Sequence, residues 1–362
     1  MSRSPTNPNA HLNRGCVEAE RGDTGKGFKA IMAYLTHASP PCVILENVTP
    51  LGEKNDDGDS DAAFILSDLR RIGYTSRVHT VMADEYGSLV PRARLYFVAM
   101  KSVHSEVSID DAYPSILTAM RVPKFDCAKF IDSATEDVER NLNKLGISRI
   151  ACASSGKHAK VDPDFKTEHY EFYKDQSLSW PPDVSKGPWV SLNITRRQKE
   201  VAFFAACQFP GDRGSSDFLD VNLSLGRLVG TGKAPIEAED TKPVLKNPWH
   251  KHPMTLTCHT LWLLRKTGFD ANITLRVLEG HELMRLIGWC DEHWRVQVPR
   301  GGRSGQVLRD LAGNAFSGFA CGPIAAATLA CARFGALQEQ ETAGGISRAD
   351  STDDLYSSSS DS

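Results

Sequence analysis

An apolar run, residues 42–48, ends in a carboxylate and an amide, Glu46 and Asn47. It follows two prolines, and four successive apolar residues of this kind predict a short, fully buried strand. Glu46 then lies at the carboxyl end of the strand, where open α/β sheets build their sites. We therefore expect this strand to deliver a carboxylate to a crevice. The alternative is a buried strand followed by an ordinary acidic loop residue.

Helical and extended patterns surround this run. Apolar residues at i, i+3, i+4 and i+7 predict a helix over residues 24–38, and Ile65, Leu69 and Ile72 predict another that Gly73 caps. Thr195 and Gln198 have the spacing of a capping box, so a helix should begin there. The other predicted elements are strands over 77–82 and 95–100, extended segments over 220–227 and 252–264, and helices over 282–288 and 323–334.

Arg92 and Arg94 precede an apolar strand and are two residues apart. Because the side-chain period of a strand is two, they should project to the same side and could hold one ligand together. A solvated, charged entrance to the strand is the alternative. Residues 101–190 are rich in Pro, Ser, Asp and Lys and predict long loops with at most short elements.

Composition excludes several classes of protein. The net charge is −3, so no overall basic field indicates nucleic acid, although local patches among 42 Lys and Arg can bind phosphate. Nine scattered cysteines without any Cys-x-x-Cys argue against a disulfide framework and a zinc site, and we predict a reducing compartment and no metal. No apolar run is long enough to cross a membrane.

Four motifs in this order resemble the cytosine-5 DNA methyltransferase family. Glu46-Asn47-Val48 is similar to its Glu-Asn-Val motif, and Arg92-Ala93-Arg94 to its Gln-x-Arg-x-Arg motif. Residues 282–289 resemble the helix after its target-recognition region, and residues 313–317 its closing Gly-Asn motif. The resemblance covers about residues 13–335. It implies an α/β, Rossmann-like S-adenosylmethionine-dependent domain with a smaller inserted target-recognition domain.

The resemblance also implies roles for individual residues. Glu46 would protonate N3 of a flipped cytosine, with a pKa raised by burial, and Arg94 and Arg92 would bind the cytosine O2 or hold the catalytic loop. Asn47 and Val48 would position the substrate. S-adenosylmethionine would contact Gly313, Asn314 and Ala315. Four further residues are loose candidates for phosphate or base contact, although ordinary surface roles fit them as well: Thr255, Thr257, Arg265 and Lys266.

Two family motifs are not recognisable, the Gly-rich cofactor turn and the Pro-Cys nucleophile. We therefore expect an incomplete domain that lacks its first four strands and is marginal alone. Cys42 is expected to be a core thiol and Cys16 lacks the preceding proline, so neither is a good substitute. Val90 stands where the family has glutamine. The expected organisation is a partial catalytic domain (1–100), a target-recognition insert (101–275), a return to the catalytic domain (276–338) and a disordered tail (339–362).

Three hypotheses remain at this stage. The chain is the C-terminal portion of a DNA methyltransferase, truncated or completed by a complementary chain, with DNA as its partner and the nucleus or nucleoid as its location. Alternatively, it is a catalytically dead relative that binds DNA or a partner protein. The third reading is an unrelated α/β domain with chance motifs.

Overall fold

The computed structural model describes residues 22–54, 58–149, 165–212, 216–223, 225, 245–253, 256, 261–267, 273–294, 298 and 303–332. Its described part is a mixed α/β protein with two three-stranded antiparallel sheets, as the α/β prediction requires. The elements in chain order are α1 (Gly22–Ala38), β1 (Cys42–Val48), α2 (Asp61–Arg71), β2 (Tyr74–Met82), β3 (Ala93–Lys101), α3 (Ala112–Ala119), α4 (Thr135–Leu145), α5 (Phe165–Asp175), α6 (Arg196–Gln208), β4 (Ser216–Asp220), β5 (Trp262–Thr267), β6 (Ile273–Val277), α7 (Gly280–Leu286), α8 (Asp291–Trp294), α9 (Ser304–Asn314) and α10 (Gly318–Ala330).

The first sheet has the strand order β1-β3-β2, with β3 antiparallel to both neighbours. One face packs against α1 and α2 through Val43, Leu95 and Phe97. The opposite face packs against α3 and α10 through Val98 and Met100. Successive side chains of β3 therefore enter two different cores, which is why this strand reads as a continuous apolar run.

The prediction for β1 was correct in position but wrong in extent and burial. The strand continues to Val48, so Glu46 lies within it and is paired with Tyr96 rather than following its end. Ile44 and Val48 are 40% and 46% exposed. The reason is that β1 is an edge of the described sheet, and on the face of Glu46 the neighbouring helices cover β3 more completely than β1.

The first two helices confirm the periodicity argument. Met32 and Leu35 of α1 are buried against the sheet, although Ile31 of the same predicted face is 39% exposed. Ser60 caps α2 by accepting a hydrogen bond from the Ala63 amide at 3.2 Å. Gly73 follows with a φ of +90°, a conformation that favours glycine. The capping box predicted at Thr195 and Gln198 is also present at the start of α6.

The prediction of long loops over residues 101–190 was wrong, because α3, α4 and α5 lie in this segment. In α4, Val138, Leu142 and Leu145 are buried on one face. Gly146 then ends the helix with a φ of +65°. The spacing i, i+4 and i+7 is that of an amphipathic helix, and the surrounding charged residues are simply its solvated face.

Two boundaries near the later strands and helices also differ from the predictions. The extended segment predicted from Asp220 ends at that residue, since a turn follows β4. Helix α10 begins at Gly318 and contains Pro323, whereas the predicted helix begins at Pro323. Most of 252–260, the end of the predicted 323–334 helix and the tail lie outside the described residues.

A buried network of hydrogen bonds and ion pairs connects α7 to the segment before α4. The Asp132 carboxylate accepts hydrogen bonds from Asn141 at 2.9 Å and Arg285 at 3.1 Å, and it is 2.9 Å from Nε2 of His281. Residues of α7 and α9 also share one hydrophobic core with α4, α6 and the second sheet. The domain boundaries that the sequence suggests stay a prediction.

The buried network around Asp132 should make the stability of the fold sensitive to acid. Burial opposes ionisation of Asp132, but the hydrogen bond from His281 and the nearby cations prevail and lower its pKa to about 2. Because the folded pKa lies below the unfolded value, the stabilisation is present above about pH 4 and is lost as the pH falls towards 2. We expect unfolding by urea to show a loss of roughly 2 kcal/mol over this range. Asp132→Asn should be less stable at neutral pH and should lack this part of the pH dependence.

Candidate functional site

Glu46 and Arg94 form an ion pair across β1 and β3. The antiparallel register places Glu46 opposite Tyr96 and Val48 opposite Arg94, so the charged residues are diagonal neighbours on one face. Nε of Arg94 is 2.9 Å from Oε1 of Glu46, and the two side chains are 20% and 15% exposed. The structure thus brings together two of the residues that the sequence nominated, through strand pairing alone.

Arg92 connects this pair to the end of α9. It lies one residue before β3, and its Nη1 donates to the carbonyl oxygen of Gly313 at 3.1 Å. Its positive charge lowers the pKa of Glu46, as does that of Arg94. The residue is only 6% exposed. Two predicted groups that are far apart in the sequence, the arginines and the Gly-Asn segment, therefore meet beside Glu46.

Burial raises the pKa of Glu46 above its ordinary value, and the opposing effects of Arg94 and Arg92 are smaller. This direction confirms the expectation made from the sequence. A carboxyl with a raised pKa carries its proton closer to neutral pH than a solvated glutamate does. Glu46 is therefore suited to donate a hydrogen bond or a proton to a ligand that enters from its exposed side.

Tyr96 and Cys321 adjoin the pair and were not predicted. Tyr96 is the cross-strand neighbour of Glu46, and its hydroxyl is 4.0 Å from Sγ of Cys321 on α10. Burial raises the pKa of both groups. The alternation Arg92-x-Arg94-x-Tyr96 could have revealed the tyrosine. No local signal marks Cys321, because it reaches the sheet only through the packing of α10.

The remaining candidates near the site differ in accessibility. Asn47 accepts a hydrogen bond from the Val48 amide through its side chain at 2.8 Å, and Val48 is exposed. Asn314 is exposed at the end of α9 and donates to the Asp310 carbonyl at 3.0 Å, while Gly313 and Ala315 are half-buried. Their roles in positioning a substrate or a cofactor stay predictions.

Of the two cysteines considered as nucleophiles, Cys42 and Cys16, the structure describes Cys42. Cys42 begins β1 and is half-buried, packed against the core on the side of α10, rather than fully buried as predicted. Cys16 lies outside the described residues. Val90 stands where the family motif has glutamine. Its side chain is buried in the hydrophobic core, so it offers no hydrogen-bonding group at this position.

Arg265 is corrected as a candidate for contact with nucleic acid. It is 1% exposed, its Nη2 is 2.7 Å from Oδ2 of Asp217, and its Nη1 donates to the Phe209 carbonyl at 2.6 Å. Its guanidinium also lies 4.0 Å from the ring centroid of Trp249. The Arg265 guanidinium therefore stabilises the protein interior and is not available to bind a phosphate. Lys266 is half-buried and donates to the Ser133 carbonyl, and Thr255 and Thr257 lie outside the described residues.

The described part of the chain has neither a cluster of metal ligands nor a membrane-spanning helix. No group of three or more His, Cys, Asp or Glu is placed there to hold a metal ion. None of the helices described is both long and apolar enough to span a bilayer.

The sequence matches a known family over most of its length. The model of the C-5 cytosine-specific DNA methylase family matches residues 15–317. The chain therefore belongs to this family of DNA methyltransferases. A comparison with curated proteins gives no match.

Several solved methyltransferase structures are similar to the chain at low identity. The Dnmt2 methyltransferase of S. pombe is 11% identical, with 84% of this chain and 72% of that one covered, at a TM-score of 0.41. A putative DNA modification methyltransferase encoded within an E. coli prophage is 14% identical, with 85% and 75% covered and a TM-score of 0.36. The EhMeth methyltransferase of Entamoeba histolytica is 11% identical, with 83% and 68% covered and a TM-score of 0.36.

Proposed function

We propose that this chain supplies the base-protonating part of a DNA cytosine-5 methyltransferase. The observation that carries the proposal is the half-buried Glu46, whose pKa is raised by burial while Arg94 holds its carboxylate at 2.9 Å. The substrate would be a cytosine flipped out of the DNA, and the cell compartment would be the nucleus or nucleoid. Extrusion of the base costs a few kcal/mol, which contacts in the pocket and to phosphates must offset.

Each residue of the site has a distinct part in the proposed reaction. A cysteine thiolate adds to C6 of the cytosine, and electron density moves through the ring towards N3. Protonated Glu46 donates to N3 and stabilises this charge, while Arg94 donates to O2. Arg92 would hold the end of α9 in place through the Gly313 carbonyl. S-adenosylmethionine, when bound, supplies the methyl group.

The described residues fit the cofactor only in part. Asn314 is accessible at the end of α9, and with Gly313 and Ala315 it would form one wall of the pocket. The described segments contain no Gly-rich turn after a strand that would cradle the rest of the molecule. The thiol beside the site, Cys321, has a pKa raised by burial and is a poor nucleophile. We therefore propose that a complementary chain supplies the thiolate and the remaining cofactor contacts.

This proposal predicts an enzyme that depends on complementation. The purified chain should transfer no labelled methyl group from S-adenosylmethionine to DNA, because in this proposal the nucleophilic thiolate comes from the complementary chain. Adding a segment that carries the Gly-rich and Pro-Cys motifs, in trans or as a fusion, should restore transfer. Clear transfer by the chain alone that survives both Cys16→Ala and Cys42→Ala would contradict the need for a second chain.

The second candidate function is a catalytically dead relative that binds DNA or a methyltransferase partner. The replacement of the motif's glutamine by Val90, which is buried in the core, favours this reading. The two functions differ in one result: a dead relative would bind DNA or its partner yet remain inactive after complementation. Restored transfer would exclude it.

A further inference from the structure

The side chain directly across the sheet from Glu46 is that of Tyr96. The antiparallel register of β1 and β3 makes the two residues cross-strand partners, so their side chains share one face with Cβ atoms about 5 Å apart. Tyr96 is 2% exposed and belongs to the same core as Ala320 and Ile324 of α10. Its hydroxyl extends to this helix and lies 4.0 Å from Sγ of Cys321. The tyrosine ring is therefore held between the sheet and α10, beside the Glu46 carboxyl.

The neighbours of Glu46 along its own strand cover it little. Ile44 and Val48 lie on the same face of β1, and both are exposed. Since β1 is an edge of the described sheet, the described residues cover the carboxyl from the side of β3 and α10. The Glu46 side chain is nonetheless only 15% exposed. Of the two β3 side chains closest to it, Arg94 supplies a charge and Tyr96 supplies a large apolar surface that excludes water.

Four titratable or charged groups lie close to the Glu46 carboxyl. Burial raises the pKa of Glu46, and the positive charges of Arg94 and Arg92 lower it by less. Burial is also the main cause of the raised pKa of the Tyr96 hydroxyl and the Cys321 thiol, and the charge of Glu46 adds to it in both. The hydroxyl and the thiol are thus uncharged near neutral pH. Tyr96 opposes the ionisation of Glu46 by keeping water away from it, not by its charge.

We propose that Tyr96 is a positioning residue for Glu46: its ring, held by α10, excludes water from one side of the carboxyl and leaves the other side open to a ligand. Arg94 anchors Oε1 of the carboxyl at 2.9 Å, and Tyr96 keeps the anchored group out of water. This role rests on the proposed function of Glu46, which needs the protonated carboxyl. A tyrosine that served the core alone would stabilise the fold without changing the ionisation of Glu46.

Tyr96→Thr tests this role, because threonine suits a strand but lacks the ring. In an NMR titration of the full chain alone, the Glu46 pKa should fall to its ordinary value or below it, since water then reaches the carboxyl while Arg94 and Arg92 remain. Tyr96→Phe keeps the ring and should keep the Glu46 pKa raised. The titration needs no methyl transfer, so its failure is distinct from a failure of the proposed function. In the enzyme reconstituted with the complementary chain, Tyr96→Thr should also move the alkaline decline of the rate to lower pH.

The control is Tyr113→Thr, which removes another buried tyrosine of the same core, on α3 against His79 of β2. It should lower the stability measured by chemical denaturation and leave the Glu46 pKa unchanged. Should the threonine variants fail to fold, Tyr96→Leu should lower the Glu46 pKa by a smaller amount, with Tyr113→Leu as its control. An unchanged Glu46 pKa in the folded variant without the Tyr96 ring, or an equal fall in Tyr96→Phe or in the Tyr113 control, would overturn the proposal.

Discussion

Glu46→Gln is expected to slow methyl transfer by roughly 10²- to 10⁴-fold in the enzyme reconstituted with the proposed complementary chain, which is the usual contribution of a positioned general acid. Glutamine keeps the shape of the side chain and can donate a hydrogen bond, but it cannot give a proton to N3. The rate of incorporation of labelled methyl groups into DNA measures the effect. The affinity for DNA should change much less, because Glu46 stabilises charge that develops on the cytosine ring only during the reaction.

The control for this experiment is Glu168→Gln, which makes the same chemical change at an exposed position of α5. It should leave the rate unchanged. An unaffected rate in Glu46→Gln would remove this residue from catalysis.

A second measurement needs no activity. In an NMR titration of the chain alone, the Glu46 carboxyl should titrate above the ordinary range, and Arg94→Met should raise its pKa further because Arg94 lowers it.

Glu282→Gln is expected to destabilise the fold by about 3–5 kcal/mol, the usual cost of breaking a buried ion pair. The Glu282 carboxylate is fully buried and accepts two hydrogen bonds from Arg276, each at 2.7 Å. It also accepts from the amides of Asp132 at 2.8 Å and Glu279 at 2.9 Å. An amide nitrogen in place of one oxygen would face donors only and would leave the Arg276 charge unneutralised.

Chemical denaturation of the full chain measures this loss. Glu136→Gln, at an exposed position in the first turn of α4, is the matched control and should cost less than about 1 kcal/mol. Should Glu282→Gln fail to fold, replacing both Glu282 and Arg276 by methionine should recover part of the stability, because neither charge of this pair is then left buried without its partner. A loss below about 1 kcal/mol in Glu282→Gln would show that the network contributes little.

The helices show where sequence reasoning succeeds. The apolar spacing in α1 and α2 and the capping box of α6 are local patterns, and each element forms where its pattern predicts. Helix α4 was missed although its buried residues have regular helical spacing, because the charged solvated face dominates the composition of the segment. The sequence thus contained the helical pattern of α4, but the charged residues around it received more weight.

Arg265 shows a different kind of failure. The sequence offers a basic strand residue, typical of a phosphate contact, but in the fold its guanidinium is enclosed by Asp217, Trp249 and the Phe209 carbonyl. These partners come from other parts of the chain, and no periodicity in β5 indicates them. Tyr96 was not predicted, although alternation along β3 could have indicated it, whereas the position of Cys321 depends on how α10 packs.

The family, the order of its motifs and the carboxyl and arginines nominated for the site can all be read from the sequence, because they depend on residue types at short spacings. Three facts became visible only in the folded chain: Glu46 lies within a strand rather than after it, Arg94 is 2.9 Å from Glu46, and Arg92 donates to the Gly313 carbonyl. The raised pKa of Glu46 was expected from the sequence, but its direction is set by a balance between burial and two positive charges. That balance depends on distances between chain segments, which strand register and helix packing create.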